Sequence, residues 1–349
     1  MRRPGLQTTV QDLGRPGYGR YGVPFSGAMD TWSLRLGNLL LDNQPDAAAL
    51  EMTLVGPELE ALAPLVCAYT GADFNLTVAG RPVRPGRTLQ LREGDVLRFG
   101  AARAGARAYL CVEGGWDVAP VLGSRATAVT AGLGGIDGRP VLGSDILRAL
   151  PSRWASDAYT PRKLRRSLLW EYSGTCTLRV VEGPQASGMP DAVEMLLASS
   201  WRVSERASRV GVRLDGPTLQ SYAGSFETEG VPPGAVQVPP DGTPILLLAD
   251  RQTTGGYPKP AVLASVDLPL AGQLRPGDEI SFELVTVDQA VELLRDREAE
   301  LETGVYEYDR GDGGTSLVEL VRALEQSQVE ELRLQKGSSS FHWRRAERR

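Results

Sequence analysis

Short apolar runs, most of them alternating with polar residues, divide the chain into many predicted strands. Examples are "LTVAG", "TLQLREGD", "RAYLCVEGG", "LRVVEGP", "GVRLDGP" and "ISFELVTV", which stop at or next to Gly, Pro or Asp. Alternation with a period of two, interrupted by frequent turn residues, is typical of a β-barrel or β-sandwich and not of βαβ units. We therefore predict a mainly β protein with few helices.

Periodicity typical of a helix occurs at only a few places. One helix is predicted after Asp30, a candidate N-cap, with Leu36 and Leu40 on its apolar face. A second is predicted to begin at Pro190, because proline suits the first position of a helix. A third is predicted near the carboxyl end, where residues 316–324 combine a capping box with an apolar stripe.

Two short patterns occur twice in the chain. "LREGDVLRF" at 91–99 matches "LRPGDEISF" at 274–282, and "TLVGPEL" at 53–59 matches "RLDGPTL" at 213–219. The spacing between the two patterns differs in the two halves, so an exact tandem repeat is excluded. Two related barrels with different insertions explain the repetition, and chance recurrence of Gly-Asp and Gly-Pro turns is the alternative.

The repeats and the composition suggest three parts. We predict a first barrel domain over residues 1–160, a second over 161–290 and a helical extension over 291–349. Residues 151–170, rich in Pro, Ser and basic side chains, are predicted to form a solvated connection between the barrels.

Charge and hydropathy narrow the class of protein. The 349 residues carry a formal net charge of −5, which argues against nucleic acid or an anionic membrane as a partner. No apolar stretch has the length of a membrane span, and the amino-terminal residues lack the apolar core of a signal peptide. We therefore expect a cytoplasmic protein.

The scarcity of cysteine and histidine removes several kinds of catalytic site. The three cysteines have no CxxC spacing, and the single histidine, His342, lies near the end of a polar tail. A disulfide framework, a zinc site and a histidine-dependent triad are therefore not expected, and we predict no metal site. Catalysis must use carboxylates, Lys, Tyr, hydroxyls, backbone amides or a borrowed cofactor.

The stretch "DRQTTGGYPKPA", residues 250–261, is the first candidate site. It lies between two apolar runs and is richer in chemistry than a connector needs. Lys259, held between two prolines, is predicted to place a positive charge on a phosphate or oxyanion. Asp250 is predicted to orient Lys259 or to act as a base, and Tyr257 to stack on a ring or donate a proton.

The middle of the same stretch is predicted to bind an anion. Glycines reach positive φ and let a ligand approach closely, and successive backbone amides can form an anion-binding nest. The residues assigned to this role are Thr253, Thr254, Gly255 and Gly256. The alternative is a plain β-hairpin with the two glycines at its turn.

Two further stretches are candidates for the same cleft. A Gly/Pro-rich loop at 11–30 precedes the first predicted helix, and its Arg15 and Ser26 are predicted to bind substrate or phosphate. Pairing of Arg15 with Asp12 is the alternative. In "GSRATAVTAGLGGIDGR", residues 123–139, Arg125 is assigned the same binding role, and the paired glycines either line the cleft or form a turn.

Several long motifs occur in an order that resembles the allophanate hydrolase subunit 2 family. They are "QTTVQDLGRPGYGRYGVPFSGAMD", "AAALEMTLVGPEL", "VLGSRATAVTAGLGGIDGRPV", "SERASRVGVRLDGP" and "DRQTTGGYPKPAVLASVDLPLAGQLRPGDEI". That family includes the C subunit of the bacterial 5-oxoprolinase, the Kip-type antagonist of a kinase inhibitor and a region of urea carboxylase. The resemblance covers roughly residues 3–300 and implies two cyclophilin-like β-barrel domains.

The resemblance also implies an activity and partners. The implied reaction is the ATP-dependent opening of 5-oxoproline (pyroglutamate) to glutamate. It is carried out with the A subunit of 5-oxoprolinase and with its B subunit, a homologue of the Kip-type inhibitor. The chain has no GxxxxGK[ST] sequence, so it lacks a P-loop, and ATP with Mg²⁺ is expected at a site shared with the B subunit.

Two other functions remain open. One is the carboxyltransferase component of a biotin-dependent urea or amide carboxylase. The tail "VEELRLQKGSSSFHWRR" is predicted to form a β-hairpin and resembles the start of a biotin carboxyl carrier protein, but the biotinylated lysine motif is absent. Biotin is therefore expected only on a separate carrier. The other is a regulatory module that binds a Kip-type kinase inhibitor.

Overall fold

The computed structural model describes residues 1–151, 159–169, 171–220, 227–302, 306–308, 331–336 and 339–344. The strands in chain order are β1 Gln7–Gln11, β2 Ala49–Thr53, β3 Glu58–Glu60, β4 Leu65–Gly71, β5 Thr77–Val78, β6 Arg81–Pro82, β7 Arg87–Leu91, β8 Val96–Arg98, β9 Arg107–Val112, β10 Arg162–Leu164, β11 Thr175–Glu182, β12 Trp201–Ala207, β13 Gly211–Asp215, β14 Glu229–Gly230, β15 Ala235–Gln237, β16 Ile245–Leu247, β17 Thr254–Gly255, β18 Ala261–Leu263, β19 Glu279–Leu284, β20 Tyr306–Tyr308, β21 Glu331–Lys336 and β22 Ser339–Arg344. The helices are α1 Thr31–Leu40, α2 Pro190–Ala198, α3 Leu268–Ala271 and α4 Val287–Glu302. The prediction of a mainly β protein with few helices is confirmed.

The first half of the chain forms two packed sheets. The larger is antiparallel, in the order β1-β2-β9-β4-β7-β10-β20, and the smaller has the order β3-β8-β5-β6. Their inward side chains, among them Leu50, Phe74, Leu97 and Phe99, form one apolar core. Alternating strands leave one apolar face on each sheet, and packing the two faces together removes both from water.

The second half forms a closed barrel in the order β11-β18-β15-β16-β13-β12-β19. The parallel pairing of β11 with β19 completes the ring. Helix α2 adds Ala192 and Leu196 to the apolar core of this barrel, in which Trp201 is fully buried.

The helices predicted at Asp30 and Pro190 are confirmed. Asp30 caps α1, and its Oδ1 accepts the backbone N–H of Ser33 at 2.8 Å. Pro190 stands at the first position of α2. Helix α4 forms a helix at the start of the predicted extension. It contacts α1 through two hydrogen bonds from the Arg35 guanidinium to the Glu298 carboxylate.

The repeated Gly-Asp pattern corresponds to a repeated structure. Gly94 and Gly277 both have positive φ, +85° and +90°, which glycine adopts without strain. In both turns the carboxylate of the following residue, Asp95 or Asp278, accepts the backbone N–H three positions earlier. The N–H of Gly94 donates at 2.8 Å to the carbonyl oxygen of Ala61, just after β3. The N–H of Gly277 donates at 2.8 Å to the carbonyl oxygen of Val203 in β12.

The repeated Gly-Pro pattern follows a strand in both halves, β2 before Gly56-Pro57 and β13 before Gly216-Pro217. Pro57 leads directly into β3, whereas the next described strand after Pro217 is β14, at Glu229–Gly230. The interpretation of this second pattern as part of the duplication remains a prediction.

Two short strands from later parts of the chain pair with the first sheet, which the sequence did not indicate. β10 and β20 both join the first sheet, so residues 162–164 and 306–308 belong with the first half. The guanidinium of Arg162 is buried and donates to Leu40 O and to Asp42. The prediction of a solvated basic connection is wrong at Arg162, and the predicted domain limits remain predictions.

Near the carboxyl end, β21 and β22 form the predicted hairpin. The helix predicted over 316–324 lies outside the described residues. Within the described part of the chain, no helix is both long enough and apolar enough to cross a bilayer.

Candidate functional site

The stretch 250–261 connects β16 to β18 without forming a tight hairpin. Between them β17 pairs with β14, which places Gly255 opposite Glu229 and Thr254 opposite Gly230. The alternative of a β-hairpin with both glycines at its turn is therefore wrong. The pairing brings residues 229–230 to the candidate site from an earlier part of the chain.

The predicted backbone nest does not form. Neither Gly255 nor Gly256 has a positive φ, and a nest needs alternating right- and left-handed backbone. Gly255 packs closely instead, because a Cβ at this position would lie 2.8 Å from Nε2 of Gln237. Phosphate binding by Thr253 and Thr254 remains a prediction.

Lys259 is a buried lysine whose charge is paired. Its side chain is 1% exposed, and Nζ lies 2.5 Å from Oε1 of Glu229 and 3.5 Å from the carbonyl oxygen of Tyr257. A buried ammonium without a partner is very costly, and Glu229 supplies that partner. The predicted role of Lys259 toward a phosphate or oxyanion remains a prediction.

Gln185 fixes both partners of this ion pair. Its Nε2 donates to Oε1 of Glu229 at 2.7 Å, and its Oε1 accepts the backbone N–H of Lys259 at 2.8 Å. The Glu229 side chain is 41% exposed. The pair therefore extends from the protein interior to solvent, with the ammonium at the inner end.

The Lys259–Glu229 pair is expected to persist from neutral pH down to the ordinary glutamate pKa of about 4.3 and to open only below it. The hydrogen bond from Lys259, followed by that from Gln185, lowers the pKa of the Glu229 carboxyl. A carboxyl with a lowered pKa stabilises the folded state above its unfolded pKa, and this is lost as the pH falls through the folded value. NMR of the lysine side chains measures the opening, because Lys163 and Lys336 are the only other lysines.

The Glu229→Gln variant is the control for this titration. Its Lys259 signal is expected to show no shift in the acid range, because the titrating partner is gone. An identical titration in the variant and the original protein would contradict the assignment, as would opening of the pair near neutral pH.

Asp250 belongs to a buried ion network instead of contacting Lys259. Arg209 donates to both of its oxygens, at 2.8 and 3.1 Å. Arg209 also donates to Glu51 and to the carbonyl oxygen of Gly27, so it joins the second barrel to the first half. The expectation that Asp250 orients Lys259 is wrong, because Arg209 occupies its carboxylate.

The carboxylates of this network stabilise the charge of Arg209 in spite of its burial. Arg209, Asp250 and Glu51 are each at most 5% exposed. Burial opposes the charge of Arg209, but Glu51 and Asp250 outweigh it and raise its pKa. Such groups are costly to separate, because each would be left charged in a dry environment.

Arg15 lines a cavity of about 200 Å³ together with Arg251, Gln252 and Thr253. Its side chain is 1% exposed. Nη2 donates to the carbonyl oxygen of Ala126, whereas Nε and Nη1 have no partner within the described part of the chain. Two unpaired donors on a buried guanidinium are unusual, since buried polar groups are normally satisfied, and the binding of an anion by Arg15 remains a prediction.

The surroundings of Arg15 do not neutralise it. Burial lowers its pKa, and the charges of Asp12 and Asp250 only partly offset this. Asp12 accepts instead from the backbone of Arg125 and Gly14 and from the Ser124 hydroxyl. The alternative of a hydrogen-bonded Arg15–Asp12 pair is therefore wrong.

Gly134 of the third stretch packs against Arg15. Gly134 has φ +68°, and a Cβ there would lie 2.6 Å from Nη2 of Arg15 and 2.1 Å from the Ala126 carbonyl oxygen. Only glycine fits so close to this guanidinium. Gly135 packs instead against Thr127, and neither glycine lines the cavity, so the interpretation that the pair lines the cleft remains a prediction.

Ser26 and Arg125 are placed differently from each other. Ser26 has φ 54°, donates its hydroxyl to Thr127 O at 2.9 Å and donates its backbone N–H to Ala249 O. A non-glycine residue at positive φ is strained, and here it joins the two halves of the chain. Arg125 is half-buried, and its Nε has no partner within the described residues.

Six of the candidate residues thus fall into three groups. Arg15 and Thr253 line the cavity, Lys259 pairs with Glu229 and lies 3.5 Å from the carbonyl oxygen of the 46%-exposed Tyr257, and Asp250 and Ser26 link the halves. Residues not assigned from the sequence are Glu229, Gln185, Arg209, Gln237, Arg251 and Gln252. The stretch 250–261 already contained Arg251 and Gln252, and the acidic "ETEG" before the barrel strands was a signal for Glu229.

The side-chain amides of Gln252 and Gln237 connect the first two groups. Gln252, a cavity residue, donates to Oε1 of Gln237 at 3.0 Å. Nε2 of Gln237 is buried and has no partner within the described residues. This nitrogen faces Gly255 of β17, which lies opposite Glu229 of β14. An uncharged donor therefore lies between the cavity and the strand that carries Glu229, the partner of Lys259.

Comparison with known proteins identifies the family. The model described as carboxyltransferase domain, subdomain A and B, matches residues 21–284. The chain is 34% identical to the C subunit of 5-oxoprolinase from Escherichia coli, over 85% of this chain and 94% of that protein. It is also 34% identical to urea amidolyase of Lachancea kluyveri, over 86% of this chain but only 18% of that much longer protein.

A solved structure agrees with these matches. The crystal structure of the K. lactis urea amidolyase superposes with a TM-score of 0.80 and 31% identity, over 86% of this chain and 19% of that chain. The motifs, the fold and these relatives agree, and the chain belongs to the family of carboxyltransferase domains with subdomains A and B.

Proposed function

We propose that this chain is the C subunit of an ATP-dependent 5-oxoprolinase, which opens 5-oxoproline to L-glutamate together with its A and B subunits. The match to the C subunit of 5-oxoprolinase over nearly the whole length of that protein supports this. The urea amidolyases resemble the chain over a small part of their length.

The observation that carries the proposal is the buried guanidinium of Arg15 at the wall of the cavity, whose Nε and Nη1 have no partner among the described residues. 5-Oxoproline bears a carboxylate, which can accept charge-assisted hydrogen bonds from the guanidinium donors that have no partner. Urea bears no charge and leaves the buried arginine without a counter-ion. The cavity, about 200 Å³, is smaller than the roughly 300–1,000 Å³ of pockets for drug-sized ligands, and suits a five-membered ring.

Lys259 is the proposed electrostatic group for the lactam. An amide carbonyl is a poor electrophile, and a fixed cation stabilises negative charge that develops on its oxygen. Glu229 and Gln185 hold the ammonium before substrate arrives, so no reorganisation is needed during reaction. Tyr257 is the proposed exposed ring beside it, and Asp250 acts through the network that joins the halves.

The described residues do not form a complete ATP·Mg²⁺ site. The cavity beside Arg15 is too small for a nucleotide, and no group of three His, Cys, Asp or Glu side chains suited to a metal occurs among the described residues. Magnesium with phosphates is normally held by carboxylates. We therefore assign most contacts to ATP to the B subunit, at a site that it shares with this chain.

The second candidate is the carboxyltransferase component of a urea or amide carboxylase. The superposition on urea amidolyase favours it, and biotin would then arrive on a separate carrier. The charge of the substrate separates the two functions, because 5-oxoproline bears a carboxylate and urea does not.

Arg15→Met is expected to weaken 5-oxoproline binding, measured by calorimetry, at least tenfold, since the charge-assisted pair is worth about 1.5–3 kcal/mol. The original protein is expected to bind 2-pyrrolidinone, the same lactam without a carboxylate, as weakly as the variant binds 5-oxoproline. The exposed Arg206, replaced in the same way, is the control and should change nothing. Equal affinity for 5-oxoproline and 2-pyrrolidinone, or tight binding of urea, would favour the second candidate.

A further inference from the structure

The first half of the chain contains a second, larger cavity away from the candidate site. Its volume is about 560 Å³, within the range of about 300–1,000 Å³ typical of small-molecule sites. It lies between the two sheets and has a mainly apolar wall, to which both sheets contribute: Leu59, Leu91, Leu97, Leu110, Val112 and Trp116.

The shared Gly-Asp turn defines the corresponding place in the second barrel. Ala61 and Val203 are equivalent, because each accepts the N–H of the glycine in its turn. Leu59 and Trp201 each stand two positions before them. The cross-strand pair Leu59–Leu97 of β3 and β8 therefore corresponds to the pair Trp201–Ile280 of β12 and β19. Both pairs are buried and face the apolar core of their own half. Leu59 thus stands where the second barrel has an indole.

The two halves differ in what fills this place. In the second, Trp201 is 0% exposed, and its Nε1 donates to Leu196 O of α2 at 3.0 Å, so indole and helix close the barrel interior. In the first, α1 packs on the other face of the sheet, against Ala68 and Cys111. Interiors are normally packed to the density of organic crystals, but here the equivalent volume is a cavity.

We propose that this cavity binds an uncharged aromatic molecule of about the size of indole. The second barrel supplies the argument for the ligand, because it fills the equivalent volume with an indole ring and aliphatic side chains. Glu60, Glu113 and Arg148 also line the cavity, but its wall is mainly apolar, and an ionised ligand is disfavoured because burying an unpaired charge against apolar side chains is costly. Leu62 and Ile146, 61% and 67% exposed, lie at the rim and leave the cavity open to solvent.

The test uses indole as the probe and the full chain as the receptor. Titration followed by calorimetry is expected to show one site, and indole-3-acetate, which adds a carboxylate, is expected to bind at least tenfold more weakly. Leu59→Trp restores the side chain of the second barrel and is expected to abolish indole binding. The matched control is Leu284→Trp, at a 44%-exposed position at the end of β19, which should bind indole as the original protein does.

A second variant protects the test against misfolding. If Leu59→Trp does not fold, Ala63→Trp fills the cavity from its exposed rim and is expected to lower the affinity at least tenfold. Absence of indole binding by the original protein would overturn the proposal. So would equal binding of indole-3-acetate, or unchanged binding in both filling variants. These results do not depend on 5-oxoproline, ATP or partner proteins, so they leave the proposed function untouched.

Discussion

Replacing Lys259 by methionine is expected to lower 5-oxoproline-dependent ATP turnover, measured with the A and B subunits of 5-oxoprolinase, by about a hundredfold or more, the scale of losing one transition-state stabilising group. Methionine keeps an unbranched apolar stem in a site where the lysine is 1% exposed. Glu229 is 41% exposed, so water solvates its carboxylate once the ammonium is gone. The unfolding midpoint is therefore expected to change little while the turnover falls.

Two further variants make this prediction specific. Lys259→Arg is expected to restore little turnover, because a planar fork does not fit where a compact ammonium contacts Glu229. Lys163→Met, in strand β10, is the matched control and should keep full turnover. Full turnover in Lys259→Met, or loss of its fold, would show that the lysine is structural.

Replacing Arg209 by methionine is expected to destabilise the protein by about 3–5 kcal/mol, the cost of removing one partner from a buried ion pair. Glu51 and Asp250, at 1% and 5% exposure, would be left as buried charges without their shared cation. The network also joins the second barrel to Gly27 in the first half. Denaturant unfolding measures the loss.

The control for this prediction lies three residues away on the same segment. Arg206→Met changes an exposed arginine, and substitutions of that kind usually stay within about 0.5 kcal/mol. Equal unfolding midpoints for the Arg209 and Arg206 variants would contradict the view that the network holds the two halves together.

Local patterns in the sequence were sufficient for part of the fold. The cap at Asp30, the proline at the start of α2 and the alternation of the strands depend on neighbours within a few positions, and all are confirmed. The Gly-Asp turn was predictable for the same reason, since Gly94 and Gly277 need positive φ and the next aspartate completes the turn.

Contacts between distant residues were not predictable in this way. Arg209 meets Asp250 across 41 positions and Glu51 across 158, and no local pattern marks either pair. The sequence placed Asp250 beside Lys259 because they are close in the chain, whereas strand pairing brings Glu229 there instead. The motifs located the candidate site, but the partners of its charges depend on how β14 and β17 meet.

The most direct test of the proposed function is ADP release by the purified chain mixed with the A and B subunits of 5-oxoprolinase. The expected result is negligible release by the chain alone, release with the partners when 5-oxoproline is present, and none above background with urea and a biotin-loaded carrier. Release that depends on urea and biotin, and not on 5-oxoproline, would contradict the account.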